Sequence, residues 1–251
     1  MGVEYRRYLI PRPNTHRPLP EAASTLIDAL RQHRWIVDPA GNSLAAMTFG
    51  TMRSYRNALN SGYFVRNAVE ESAGPIDISA FLSANRDNDF ILSWPVESLL
   101  ASGSTYPLQP QPFTNDDGAA ECYYELQLHF ARDYVYPVSE VIDPFDPPPV
   151  CDCGAKLDYH QETHLAEFGY RITRLCQVCG KEFDPSNRGA QGRDGRTGES
   201  ISLLGGAAYR FAIVAECGKL FGDGSPSFKS DLKCVVETVL GVKTYEVADF
   251  H

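Results

Sequence analysis

The sequence predicts an α+β fold: two β-α-β units forming a sheet covered by helices, with a cysteine-bearing hairpin inserted between them. Three observations point there. An amphipathic helical stretch flanked by short apolar runs opens the chain, and a similar arrangement closes it. Between them, residues 121–136 and 208–217 are dense in apolar and aromatic side chains, as central strands should be. Two close pairs of cysteines, Cys151/Cys153 and Cys176/Cys179, lie between those two strands. The expected organisation is an N-terminal α/β part over 1–149, the inserted hairpin over 150–183, a glycine-rich loop over 184–206, and a C-terminal β-α-β unit over 207–251 that completes the main domain.

Residues 4–10 read as a strand closed by Pro11 and Pro13. A helix over 20–33 follows, because Ala23, Leu26, Ile27 and Leu30 recur at i, i+3, i+4 and i+7 along one stripe. Pro20 suits its first turn, where the missing N–H has no intrahelical partner. Residues 35–37 (Trp-Ile-Val) complete the first unit as a strand. A short helix over 52–60, a strand over 62–66 and a helix from an Asp77 cap to Ala84 come next. Residues 89–94 form a strand ended by Pro95, and the proline-rich stretch 102–118 forms a loop. Trp94, Tyr106 and Phe113 are expected there as exposed anchors for a partner.

Residues 121–136 make the longest strand, and 143–149 lead as an extended, polyproline-like segment to the first cysteine. Gly189, Gly192, Gly195 and Gly198 recur every third residue without the prolines of a collagen, so that stretch reads as a flexible loop. Residues 208–217 form a buried central strand. A helix from Ser225-Pro226 to Leu240 carries the apolar stripe Phe228, Leu232, Val235, Val236, Val239 and Leu240, with Gly241 placed to end it. Residues 243–250 are the closing strand.

The cysteines carry the one specific chemical reading. Cys151-Asp-Cys153-Gly154 and Cys176-Gln-Val-Cys179-Gly180 each present two thiols on a short turn whose terminal glycine can take positive φ. Two such knuckles brought together by a hairpin supply four tetrahedral ligands, the geometry of structural zinc. The segment 150–183 resembles the zinc-ribbon family, with Cys-x-Cys in the first knuckle where that family has Cys-x-x-Cys. The resemblance implies a zinc-ribbon-like hairpin holding one structural Zn2+ per chain through Cys151, Cys153, Cys176 and Cys179. His160 and His164, between the knuckles, read as solvated loop residues.

Composition narrows the function. No apolar run is long enough for a membrane span, and the first residues, Met-Gly-Val-Glu-Tyr-Arg-Arg, lack the apolar core of a signal peptide. Seven cysteines, an odd number, argue against a secreted disulfide framework, so a cytoplasmic protein is expected. Residues 1–70 carry nine Lys and Arg against five Asp and Glu, while 71–150 carry two against thirteen. The net charge of −9 and a metal segment that is not basic weigh against nucleic acid. The leading expectation is a soluble, non-enzymatic binding or adaptor protein whose partner is another protein.

Two alternatives stand beside it. One is a cysteine- or carboxylate-based hydrolase or transferase, with Cys217 as nucleophile and His129 as its base, or with the Ser-x-x-Lys pattern Ser230/Lys233. The other is a nucleic-acid reader using Arg6, Arg7, Arg12, Arg17, Arg31 and Arg34. Neither assembles a catalytic or binding set from spacing alone, and no catalytic residue is assigned.

Overall fold

The fold is taken from a computed structural model, which describes residues 5–37, 45–48, 78–96, 103–109, 124–136, 142–143, 150–157, 159–161, 170–183, 189–194, 200–204, 208–217 and 226–250. In chain order the elements are β1 (Tyr5–Arg12), α1 (Pro20–Gln32), β2 (Ala45–Thr48), α2 (Ile78–Ala84), β3 (Phe90–Val96), β4 (Leu108–Gln109), β5 (Tyr124–Tyr136), β6 (Ile142–Asp143), β7 (Tyr159–Gln161), β8 (Tyr170–Ile172), β9 (Gly189–Asp194), β10 (Ser200–Leu204), β11 (Tyr209–Cys217), β12 (Ser227–Phe228), α3 (Ser230–Leu240) and β13 (Lys243–Phe250). The helix expected over 52–60, the strand over 62–66, Asp77, Phe113 and the lead over 144–149 lie outside the described residues.

The main sheet runs β13-β1-β11-β5-β3-β2, with the β7–β8 hairpin joined to β5. Every neighbouring pair is antiparallel, so the architecture is α+β, but neither β-α-β unit forms as an adjacent parallel pair. Helix α3 links β11 to β13, yet β1 lies between those two strands. The first unit ends differently again. Arg34 takes φ 60°, and the Trp35 N–H reaches back to the Leu30 carbonyl at 3.0 Å, which closes α1 and turns the chain. Trp35 and Ile36 are buried without forming a strand, and Tyr124 Oη donates to the Trp35 carbonyl at 3.0 Å. The Trp-Ile-Val run signals burial, which a turn satisfies here as well as a strand would.

Two of the three prolines expected to end strands, Pro11 and Pro95, lie inside them, and Pro13 follows the end of β1. Pro11 pairs with Thr244 after the β11 ladder has stopped at Leu9, and Pro95 pairs with Glu125 beyond the described β2 ladder. On the β11 side of Pro11 the ladder has run out, so its missing N–H breaks little there. The glycine-rich stretch is also more ordered than expected: β9 and β10 pair antiparallel from Gly189↔Leu204 to Arg193↔Ser200, and β6 adds a third strand.

One sheet face packs against the helices. Leu9, Phe90, Leu92, Trp94, Tyr124, Leu126, Leu128, Phe130, Phe211 and Ile213 meet Leu26, Ile27 and Leu30 of α1 and Leu232 and Val236 of α3. Trp94 and Tyr106 are 0% and 2% exposed, so they are core residues and not partner anchors. Their proline-rich surroundings mimic a surface loop, but the rings turn inward. Helix α3 begins at Ser230 and not at Pro226, because Ser227 and Phe228 first pair with β4. Leu232, Val236 and Leu240 form the buried line, while Val235 and Val239 flank it half-buried. Gly241, at φ 67°, ends the helix as expected.

The opposite face is buried too, and it is partly polar. Tyr8, Ile10, Ile91, Val135, Tyr209, Ala212 and Val214 share it with Arg6, Ser93, Gln127 and His129. His129 contacts Tyr209 Oη through Nδ1 at 3.0 Å and Gln127 Oε1 through Nε2 at 2.6 Å. Burial, and then the nearby Arg6 guanidinium, hold its pKa well below the usual 6.5. Among the described residues no helix is long and apolar enough to cross a membrane.

Two outcomes test this packing. Leu232→Ala should destabilise the fold by about 2–5 kcal/mol, and Val235→Ala by distinctly less, read from denaturant midpoints. Because His129 is held neutral while the unfolded chain protonates near 6.5, stability should fall as pH drops below 6.5. The slope in that range should be shallower in His129→Gln, measured by urea unfolding at stepped pH.

Candidate metal centre

Each knuckle is a tight turn closed by main-chain hydrogen bonds. In the first, Gly154 N–H donates to the Cys151 carbonyl at 2.9 Å and Cys151 N–H to the Ala155 carbonyl at 2.8 Å. In the second, Gly180 N–H donates to the Cys176 carbonyl at 2.8 Å and Cys176 N–H to the Lys181 carbonyl at 3.0 Å. Gly154 and Gly180 have φ of 85° and 69°, the left-handed conformation that a side chain disfavours. The bridges Val150↔Lys156 and Leu175↔Glu182 close the base of each turn. The shorter Cys-x-Cys loop therefore presents its sulfurs much as the longer loop does.

The four sulfurs converge. Cys151 Sγ lies 3.7 Å from Cys179 Sγ, Cys153 Sγ lies 3.7 Å from Cys176 Sγ, and all four fall within 4.8 Å of one another. A tetrahedron of sulfurs ~2.3 Å from a central ion has edges of ~3.8 Å, so the spacing fits a metal ion. It is far longer than a disulfide bond of ~2.05 Å, and the four cysteines are free thiols. Cys151 and Cys176 are buried, whereas Cys153 and Cys179 are exposed.

Local dipoles tune the thiols unequally. The Cys179 main-chain N–H, followed by that of Val178, draws the Cys176 thiol down to about 6. The Ala155 N–H favours the Cys153 thiolate, but burial and the sulfurs of Cys179, Cys176 and Cys151 outweigh it and push Cys153 up to about 11. Four thiolates this close repel one another, and a divalent cation removes that penalty.

The module is anchored to the main sheet. Strand β8 pairs with the end of β5 from Tyr134↔Ile172 to Tyr136↔Tyr170. Arg174 N–H donates to Asp133 Oδ1 at 3.1 Å. Cys151, Leu157, Ile172, Cys176 and Phe183 share a small core with Tyr134 and Ala208 of the main sheet. Sequence reading missed this anchor, although Leu157, Ile172 and Phe183 stand out as apolar positions in an otherwise polar segment. His160 lies in β7 opposite Arg171, not in a loop, and His164 lies outside the described residues.

The other candidates do not assemble. His129 stands opposite Ala212, five residues along β11 from Cys217, a separation of about 16 Å at 3.3 Å per residue. With its ring engaged by Tyr209 and Gln127, His129 is no base for Cys217. Ser230 starts α3, and Lys233 Nζ is engaged by Glu246 Oε1 at 3.1 Å. The N-terminal arginines are dispersed: Arg6 pairs with Glu216 at 2.8 Å, Arg31 with Asp28 at 3.2 Å, and Arg12 lies over the Tyr245 ring.

Comparison with known proteins returns no family model, no curated protein and no solved structure that matches this chain. The chain is thus defined here by its own features: an α+β domain with a four-cysteine cluster that can hold a metal ion.

Elemental analysis of the purified chain should find one equivalent of bound metal, falling sharply in Cys176→Ser and in Cys153→Ser. Unchanged metal in Cys153→Ser would show that the short knuckle contributes one sulfur only.

Proposed function

We propose that this chain is a non-enzymatic binding or adaptor protein, in which a zinc-ribbon-like module with one structural zinc presents an apolar edge to another protein. The observation that carries the reading is where apolar side chains remain in water. Among the described residues four large hydrophobics are exposed, and three are on the module: Val150 at 39%, Leu175 at 43% and Val178 at 77%. Val150 and Leu175 each directly precede the first cysteine of a knuckle, and Val178 lies within the second knuckle. A single exposed valine is ordinary, but three held by two metal-locked turns make a rigid patch of the kind partners use.

The ligand set supports a structural ion. Four sulfurs leave no open position for water or substrate, whereas catalytic zinc keeps one. Zinc is the metal favoured by tetrahedral thiolate sites in proteins without iron–sulfur chemistry. A reducing compartment such as the cytoplasm keeps the four thiols available to it.

Two measurements test the reading. Chelation should cost hydrogen-exchange protection over 150–183 while β1, β11 and α3 keep theirs, because the main sheet buries its own apolar faces. Val178→Asp should keep its metal and its unfolding midpoint yet lose the protein that the unmodified chain captures from its host. Protection lost throughout the chain on chelation would make the metal a keystone of the whole fold and remove the argument for a separate docking module.

A further inference from the structure

A cleft of ≈ 250 Å³ opens between the segment leading into α1, the residues after α2, and the turn that follows β8. Among the described residues four arginines line it (Arg17, Arg86, Arg174 and Arg210), with Asp87 as the one lining carboxylate. They come from distant parts of the sequence, so no basic run announces them. Rings of Phe90 and Phe130 form its floor, and the Arg17 guanidinium lies 5.8 and 5.9 Å from their centroids.

Two of these guanidinium groups are held in place and still have unused donors. Arg17 Nη2 donates to the carbonyls of Asn88 at 2.7 Å and Asn85 at 3.3 Å, while its Nη1 is buried without a hydrogen-bond partner. Arg210 Nη1 donates to the Thr15 carbonyl at 3.3 Å and lies 3.9 Å from Glu182 Oε1, while its Nε is likewise buried and unpartnered. Burial foremost, and then the neighbouring Arg210, draw Arg17 down to about 10; Asp89 and Asp87 oppose this in part. A buried, unpaired N–H beside like charges is a cost that packing alone does not explain. An anion in the cleft would offset the like charge that Arg17, Arg174 and Arg210 place on one another.

We propose that this cleft binds the phosphate group of a small phosphorylated molecule. Several planar guanidinium groups lining one cleft match the multiple acceptor oxygens and double charge of a phosphomonoester better than a single carboxylate. A cleft of ≈ 250 Å³ takes one phosphate group with the atoms next to it, whereas the backbone of a polymer needs a longer track. Leu19, which lines the cleft and is exposed, offers apolar surface to the rest of the ligand. The site goes beyond the adaptor reading and stands whether or not the metal module docks a protein.

Calorimetric titration of the metal-loaded chain with phenyl phosphate, inorganic phosphate, benzoate and a short unphosphorylated oligothymidylate tests this. Saturable binding of phenyl phosphate is expected, stronger than benzoate and weakened at least ~tenfold in Arg17→Met and in Arg174→Met. Should Arg17→Met fail to fold, judged by near-ultraviolet circular dichroism, Arg174→Met and Arg86→Met decide. No binding of either phosphate probe, or binding unchanged in the folded variants, overturns the proposal. Equal binding of benzoate would make it a general anion site, and tighter, arginine-dependent binding of the oligothymidylate would make it a nucleic-acid contact; either also overturns it.

Discussion

The thirteen-residue strand β5 is the element on which the rest depends. It pairs with β11 along one edge and with β3 along the other, and its last residues pair with β8 of the metal module. Its Leu126, Leu128 and Phe130 line the helix-covered core, while Gln127 and His129 enter the opposite face. A strand buried on both faces has little freedom of register, because a slip of one residue would exchange these two sets. The same register brings Asp133 and Tyr134 to the module, so the geometry of the metal site is inherited from the sheet.

Several polar side chains of the second face pair with one another within the sheet. Arg6 and Glu216 are cross-strand partners in an ion pair, Ser93 Oγ donates to Glu125, and the His129 ring joins Gln127 to Tyr209. Such a row contributes less to stability than apolar side chains of equal volume would, since each charge must be desolvated. It does penalise misregistered pairings, which would leave buried donors and acceptors unmatched. The cluster around His129 is thus accounted for by strand pairing.

Metal module and arginine cleft meet along the chain following β8. Arg174 contributes to the cleft, its N–H is held by Asp133, and its carbonyl accepts from Phe183 N–H at 2.8 Å, two residues before Cys176. Glu182, at the base of the second knuckle, approaches both Arg210 and Tyr134. The four-sulfur cluster and the arginine cleft therefore share a scaffold without sharing a side chain.

The sequence by itself determined the features set by local pattern. The stripes of α1 and α3, the αL stop at Gly241, the long strands β5, β11 and β13, and the four cysteines on glycine-ended turns were all legible, since spacing alone dictates them. Only the tertiary structure decided the rest. Trp35, Trp94 and Tyr106 look alike in sequence whether they serve a strand, a surface or a core, and burial against α1 and β5 settles it. Pro11 stays within β1 because the neighbouring β11 ladder has ended at Leu9, which is a fact about sheet order and not about proline. His129 and Cys217 are separated, and Arg17, Arg174 and Arg210 brought together, by strand register and chain crossing. Those are long-range pairings, and their free energy comes from contacts between residues that no local window contains.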